Sequence, residues 1–357
     1  MTIKELIKEM IERDASDLFF RAGATPRLRI DGKIVNAREE LLTQEEALRA
    51  VEEITTPTQR EIFKTSSDID FAIYLEEFSH RFRVSIFVQR NSPSIVMRNV
   101  RNVIASFSEL NLPSKVLERL SLEKRGLVLL TGSMGSGKST AIASMIEYIN
   151  QNSSKHVLTI EEPIEFTYQD KKSIINQREL GLDVSSYAVA LRAFTLQSPD
   201  VIFIGNIRDR ETMSAALTAA ETGVLVLSTL HTINASQSVE RIINFFPPHQ
   251  HEQVKLQLSS LLKGVISLRL VPFKDQPGRI PAYEIMLLTP TISRLMREGK
   301  LWEMSQFIEE GKVFDMQSFN QSLIKLVKSD KISEEDAADF CDNREEFSLA
   351  LRGFKKG

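Results

Sequence analysis

The sequence predicts an α/β protein: a core with a mainly parallel sheet flanked by helices, preceded by a small α+β domain and followed by helices. Three observations carry this. After Lys124-Arg125-Gly126, short β-rich apolar runs at 127–131, 157–160, 201–204 and 224–229 alternate with longer helical stretches, the pattern of parallel strands joined by crossovers. A glycine-rich turn stands between the first of these runs and a helical one. In the first hundred residues, by contrast, short apolar runs are divided by closely spaced turn signals.

The elements follow in order. Ile3, Leu6, Ile7, Met10 and Ile11 fall at helical spacing, so the chain opens with an amphipathic helix. Runs at 18–20, 27–30 and 33–35 surround Asp31-Gly32, a hairpin-type pair. Residues 45–54 read as a helix, with Ala47, Leu48, Val51 and Ile54 on one face. Residues 70–74, 81–89 and 94–100 read as strands, and Arg81, Arg83, Arg90, Arg98 and Arg101 lie on or beside them. In a strand, Arg81 and Arg83 share a face. These elements set a first domain at 1–103. Residues 104–123 read as a linker, with Pro113 opening a helix. The second domain runs over 124–357. It is helical from about 289, with a charged turn from Asp330 to Asp336.

Composition narrows the function classes. At 357 residues the chain exceeds one ordinary domain. Its net charge of -3 argues against a protein that coats nucleic acid. Cys341 is the one cysteine, which excludes an internal disulfide and a Cys/His zinc module. The amino-terminal stretch alternates charged and apolar residues and has no signal-peptide core. Apolar runs such as 126–131 and 201–205 are too short to span a bilayer. A cytoplasmic protein is expected, with membrane association through protein partners.

Gly132-Ser133-Met134-Gly135-Ser136-Gly137-Lys138-Ser139 fits the phosphate-loop pattern G-x4-G-K-S/T, and Thr140 continues it. The context fits as well: an apolar strand precedes it, and Ala141, Ile142, Met145, Ile146 and Ile149 follow at helical spacing. Glycines let backbone N–H groups curl around phosphate oxygens, and a helix N-terminus adds partial positive charge. Lys138 reaches the β and γ phosphates, and Ser139 supplies a hydroxyl to Mg²⁺. ATP with Mg²⁺ is the expected ligand. A chance glycine-rich turn would not need this strand and this helix on either side.

Further segments follow in a set order: 156–166 (HVLTIEEPIEF), 175–183 (INQRELGLD), 198–213 (SPDVIFIGNIRDRETM), 219–232 (AAETGVLVLSTLHT) and 241–247 (RIINFFP). With ASDLFFRAG and FRVSIFVQRN in the first domain, they resemble the secretion and pilus ATPase superfamily. The nearest likeness is to the type IV pilus retraction, or twitching-motility, ATPases of the PilT/PilU type, on the PilU-like side. It covers nearly the whole chain. It implies a RecA-like core, a PAS-like first domain and ATP hydrolysis coupled to pilus retraction. It also implies a hexamer of this chain, or one mixed with a paralogous retraction ATPase. That ring would dock on an inner-membrane pilus platform protein from the cytoplasmic side. By the same resemblance, Glu161, Glu162 and Glu165 are acidic groups beside the metal and the attacking water, and His231 contacts the γ phosphate. Arg81, Arg83, Arg90, Arg98 and Arg208 are the candidate arginine contacts to phosphate. In isolation, an acidic turn reads better as solvated surface, and a strand arginine reads equally well as such.

The sequence departs from that family pattern at several positions. Where the resemblance places a Walker B glutamate that polarises the attacking water, this chain has Asn206, within Gly205-Asn206-Ile207-Arg208. An amide can hydrogen-bond water but cannot take its proton. Loss of a positioned base costs on the order of 10²–10⁴ in rate. Val224 stands where a histidine is expected and Leu196 where an arginine is expected. Each change is expected to remove a polar group near the nucleotide. Together they favour slow turnover, unless Glu161, Glu162 or Glu165 compensates. Ser293 replaces the first arginine of a late helical motif, while Ile292, Leu295 and Met296 keep its apolar face. The rival readings are a non-hydrolysing subunit of a paralogue's ring, a zinc-bearing assembly ATPase (opposed by the single cysteine) and a nucleic-acid motor (opposed by the charge).

Overall fold

The structure is a computed structural model and describes residues 2–30, 32–78, 80–100, 103–194 and 196–353. The chain forms two compact units, Met1–Val103 with Glu165–Thr167, and Ile104–Ile164 with Tyr168–Gly357.

In the first unit, Thr2 and Glu5 form a reciprocal capping box that starts helix α1 (Ile3–Glu12). Its buried face carries Ile3, Leu6, Ile7 and Met10. Strands β1 (Asp17–Arg21), β2 (Arg27–Ile30) and β3 (Lys33–Asn36) follow, then α2 (Gln44–Ile54) and α3 (Pro57–Ser66). The unit closes with β4 (Asp68–Leu75), β5 (His80–Gln89) and β6 (Ser92–Val100). The six strands pair antiparallel in the order β3-β2-β1-β6-β5-β4. One face of the sheet, with Leu18, Phe20, Leu28, Phe82, Val84, Ile86, Ile95 and Met97, buries itself with α1 and α2. Strand alternation sends the arginines to the other face.

There, Asp17 lies in register between Arg29 and Arg98. Its buried carboxylate accepts Arg98 Nε at 2.9 Å and Arg29 Nε at 3.1 Å. Arg83 is opposite Arg98 and exposed, and Arg81 shares its face half-buried. Arg90 is not a strand residue. Arg90 and Asn91 take φ of 50° and 60° as the two-residue turn between β5 and β6. Asp31, of the expected hairpin pair, and Arg101 lie outside the described residues.

In the second unit, helix α4 (Ser114–Ser121) lies within the segment read as a linker. Phe107, Leu112, Val116, Leu117 and Leu120 of that segment are buried in this unit's core. The chain then runs through β7 (Gly126–Thr131), α5 (Lys138–Asn152), β8 (His156–Glu161), β9 (Ile174–Glu179), α6 (Tyr187–Phe194), β10 (Val201–Ile204) and α7 (Arg210–Glu221). It continues with β11 (Leu225–Leu230), α8 (Ala235–Asn244), α9 (His251–Leu261), β12 (Leu262–Pro272) and β13 (Arg279–Leu287). The seven strands stand in the order β13-β12-β7-β11-β10-β8-β9, all parallel except the β12–β13 hairpin. Every residue of β7, β10 and β11 is buried, including the polar Thr131, Ser228 and Thr229 among their apolar runs.

Helices α10 (Pro290–Glu298), α11 (Met304–Glu310), α12 (Phe319–Lys328), α13 (Glu334–Phe340) and α14 (Arg344–Leu351) complete the chain. On α10, Ile292, Leu295 and Met296 are fully buried, and Ser293 Oγ donates to the Ser259 carbonyl at 2.7 Å. Arg269 ties the last helices to β12. Its guanidinium lies 3.8 Å from the Phe319 ring centroid and donates to the Phe340 carbonyl. Among the described residues no helix is long and apolar enough to cross a membrane.

The Asp17 cluster yields a stability prediction. Asp17→Ala leaves Arg29 and Arg98 facing each other without a counter-charge and should lower the unfolding free energy in urea by about 1–2 kcal/mol. The estimate stays modest because both guanidinium groups reach solvent. Arg98→Ala, at the more exposed end, should cost less.

Candidate nucleotide site

β7 delivers the chain into Gly132, at φ 145°. A Cβ there would come within 2.5 Å of both the Leu268 carbonyl oxygen and Ser136 Oγ, so no larger residue fits. Gly135 and Gly137 also take positive φ, which wraps the loop onto the first turn of α5. Gly137, the N-cap, brings no side-chain acceptor for that turn's N–H groups. The amide end of a fifteen-residue helix thus opens onto the loop, which suits phosphate oxygens. Lys138 is buried and curls back, its Nζ donating to the carbonyls of Gly132 (2.8 Å) and Ser133 (2.7 Å). Ser139 and Thr140 lie half-buried beside it, and Met134 projects outward. A cleft of about 600 Å³ extends from residues 132–136 to Arg269, Arg279 and residues 339–342.

Glu161 ends β8 as a buried carboxylate, accepting Thr159 Oγ1 at 2.7 Å and Gln177 Nε2 at 3.1 Å. Glu162 is exposed and pairs with Arg208 at 3.1 Å. A Cβ on Gly205 would lie 3.2 Å from Glu161 Cα, so the ends of β8 and β10 touch. That contact sets Asn206 beside the acidic segment. Asn206 Oδ1 is buried with no hydrogen-bond partner among the described residues. His231, just after β11, titrates below its ordinary 6.5. Partial burial is the first cause, followed by the positive charges of Lys138, Arg208 and Arg241. The second unit therefore gathers residues 132–140, Glu161, Glu162, Asn206, Arg208 and His231 at the carboxyl edge of its sheet. Glu165 is exposed and belongs, with Arg81, Arg83, Arg90 and Arg98, to the first unit.

Two expectations are corrected. Val224 immediately precedes β11, at the end of that strand opposite His231. Six strand residues separate them, roughly 20 Å at the usual rise. Leu196 precedes β10 at the same far end, where Leu225 N donates to the Asp200 carbonyl. Neither is near the phosphate loop. Val224 instead lines a cavity of about 850 Å³ between α6 and α7. That cavity is larger than the cleft at the loop but holds none of the residues gathered there, so the loop and not cavity size locates the site. Asn206 alone of the three departures sits at the phosphate end.

Other residues at this edge were not singled out by the sequence. Tyr187, at the start of α6, brings a buried hydroxyl that would lie 3.6 Å from a Cβ on Gly205. Burial, then the charge of Glu162, pushes its phenol up to about 12, against the pull of Arg208. Glu179 is a buried carboxylate on β9 that accepts the Ile164 N–H at 3.2 Å. Glu284 on β13 is buried and accepts the Ala235 N–H at 2.7 Å. Burial pushes its carboxyl up to about 7, with Asp342 adding repulsion, against the Ala235 N–H, Arg269 and Ser267. Each of these depends on a partner distant in sequence.

Residues 1–278 match the family described as type II/IV secretion system protein. The chain belongs to this family. Within the family it is similar to the type IV pilus ATPase PilU of Pseudomonas aeruginosa, with 40% identity over 99% of this chain and 92% of the relative. It is also similar to the retraction ATPase PilT of the same organism, with 38% identity over 94% of this chain and 97% of the relative. A crystal structure of the pilus retraction motor PilT with bound ADP superposes at a TM-score of 0.90. That pair shares 43% identity over 97% of this chain and 98% of the other. The family's ATPase fold is thus the fold of this chain.

Two titrations follow. In NMR spectra, His231 should titrate below 6.5, and Lys138→Met should move it upward by removing a nearby cation. For Glu284, an unfolded side chain loses its proton near pH 4.5, whereas the folded one keeps it to about 7. The folded state binds more protons between these values, so stability is complete below pH 4.5, falls as pH rises to 7 and levels above. The unfolding free energy of the unmodified chain relative to Glu284→Gln should fall by on the order of 3 kcal/mol across that window.

Proposed function

We propose that this chain is an ATP-binding subunit of a type IV pilus retraction motor, coupling ATP binding and hydrolysis to retraction and twitching motility. The observation that carries this is the single edge where the phosphate loop, Lys138, Arg208, His231 and the buried Glu161 meet. Similarity to PilU and PilT along almost the whole chain supports it. The loop amides and the α5 N-terminus receive the β and γ phosphates. Lys138 exchanges two backbone carbonyls for phosphate oxygens. His231, held toward its neutral form by partial burial and then by nearby cations, can donate a hydrogen bond to the γ phosphate without adding a charge.

Ser139 and the neighbouring carboxylates are hard oxygen donors, a set that suits magnesium. Ser139 would hold that ion, which when bound offsets phosphate charge. In the same reading the working assembly is a hexamer, of this chain or mixed with a paralogous retraction ATPase. It docks from the cytoplasmic side on an inner-membrane pilus platform protein. Arg81, Arg83 and Arg90 are the first-unit candidates for contact with a neighbour's phosphate. Arg98 is a weaker candidate, because Asp17 already holds it.

Asn206 favours a second reading of the rate: ATP is held but cleaved slowly. Attack of water on the γ phosphorus releases ADP and needs an acceptor for the water's proton, which an amide is not. Glu162 is already paired with Arg208, and Glu161 already accepts two hydrogen bonds. In a steady-state phosphate-release assay, Asn206→Glu should raise turnover by about 10²-fold or more, with ATP affinity little changed. Equal rates for the two chains would remove the slow-turnover reading. Failure of the unmodified chain to bind ATP would remove the motor reading altogether.

A further inference from the structure

A buried polar chain crosses three strands beneath the phosphate loop. Thr131 Oγ1, at the end of β7, donates to Ser267 Oγ on β12 at 2.9 Å. Ser267 Oγ stands 3.4 Å from Glu284 Oε1 on β13. The same Glu284 oxygen accepts the Ala235 N–H at 2.7 Å. Thr131 and Ser267 are fully buried, and Glu284 is 6% exposed.

The two ends of this chain lie at the two sides of the nucleotide site. Thr131 is bonded to Gly132, the first residue of the loop. Ala235 is the first residue of α8 and comes four residues after His231. The intervening segment is fastened to the same helix. Thr232 Oγ1 and Ser238 Oγ lie 2.6 Å apart, Ser238 Oγ also donates to the Asn234 carbonyl, and Asn234 caps the Gln237 N–H. His231 therefore moves with α8. The opening amide of α8 is held by a carboxylate from β13.

A buried carboxylate is costly, and an apolar side chain would fill β13 without that cost. The charged groups that face Glu284 are Arg269 of β12, itself bound to Phe340 and Asp342, and Asp342 after α13. β7 presents the Thr131 hydroxyl and α8 its amide. We infer that Glu284 is a positioning residue for γ-phosphate recognition, holding α8 and thereby His231 in register with the strand that carries the phosphate loop. This rests on the ATP-site reading above.

The test uses the full chain with magnesium. Dissociation constants for ADP and a non-hydrolysable ATP analogue are measured by calorimetry for the unmodified protein, Glu284→Gln, Glu284→Leu, His231→Ala and the Glu284→Leu/His231→Ala double variant. Ala235→Pro is added as a second route. Proline is tolerated at the first helical position, and it deletes the N–H without touching β13. Glu284→Leu, Ala235→Pro and His231→Ala should each lose about tenfold of the preference for triphosphate over diphosphate, the size expected for one charge-assisted hydrogen bond. ADP affinity should hold in all of them. The double variant should lose no more than either single one, because both act through one group. Glu284→Gln keeps the acceptor and should keep the preference.

If Glu284→Leu or Ala235→Pro weakens both nucleotides equally, or leaves the preference intact, Glu284 does not position His231. Losses that multiply in the double variant overturn the inference too. If the unmodified chain binds neither nucleotide, the ATP-site reading fails first and takes this inference with it. Should Glu284→Leu not fold, Ala235→Pro against His231→Ala decides alone.

Discussion

The site depends on one steric constraint: no side chain can stand at Gly132. There the chain leaves β7 at an angle that aims the following amides inward, while the Leu268 carbonyl of β12 blocks the space a Cβ would take. Because β12 must come this close, the loop cannot slide relative to the sheet. Lys138, the start of α5 and the Ser136 hydroxyl are all placed by that turn. A similar close approach recurs at Gly205, where the ends of β8 and β10 meet and Asn206 is brought beside Glu161 and Glu162. Parallel strands that end at the same side of the sheet turn these two approaches into a shared edge.

The electrostatics of that edge are built for an anion. Partial burial and then the charges of Lys138, Arg208 and Arg241 all bear on His231, and each favours its neutral form. The carboxylates that would balance them are already committed. Glu161 accepts two side-chain donors, and Glu162 holds Arg208. Beside them Asn206 brings an amide, which adds no charge and cannot take a proton from water. Val224 and Leu196 lie at the other end of the strands.

Local signals carried much of the fold. Short apolar runs marked β7, β10 and β11, because a strand covered on both faces has no exposed side to alternate with. Helical spacing marked α1 and α2. β9 and the β12–β13 hairpin were not legible. Asn176, Gln177 and Arg178 interrupt β9, and Lys263 and Arg269 interrupt β12, so neither shows a clean period. The segment at 104–123 looked like a linker because its apolar residues are spaced by polar ones, yet five of them enter the second core.

Sequence alone determined the phosphate loop, since its chemistry needs particular residue types at fixed, consecutive spacing. It also set Asn206 where the family resemblance implies an acid, because a departure inside a short motif is visible without a fold. Only the tertiary structure decided where each departure lies, because end-to-end position along a parallel strand is invisible in a linear motif. It alone revealed Tyr187, Glu179 and Glu284, whose partners stand many residues away on other elements. A carboxylate's role depends on what surrounds it, and that surrounding exists only once β7, β12, β13 and α8 have met.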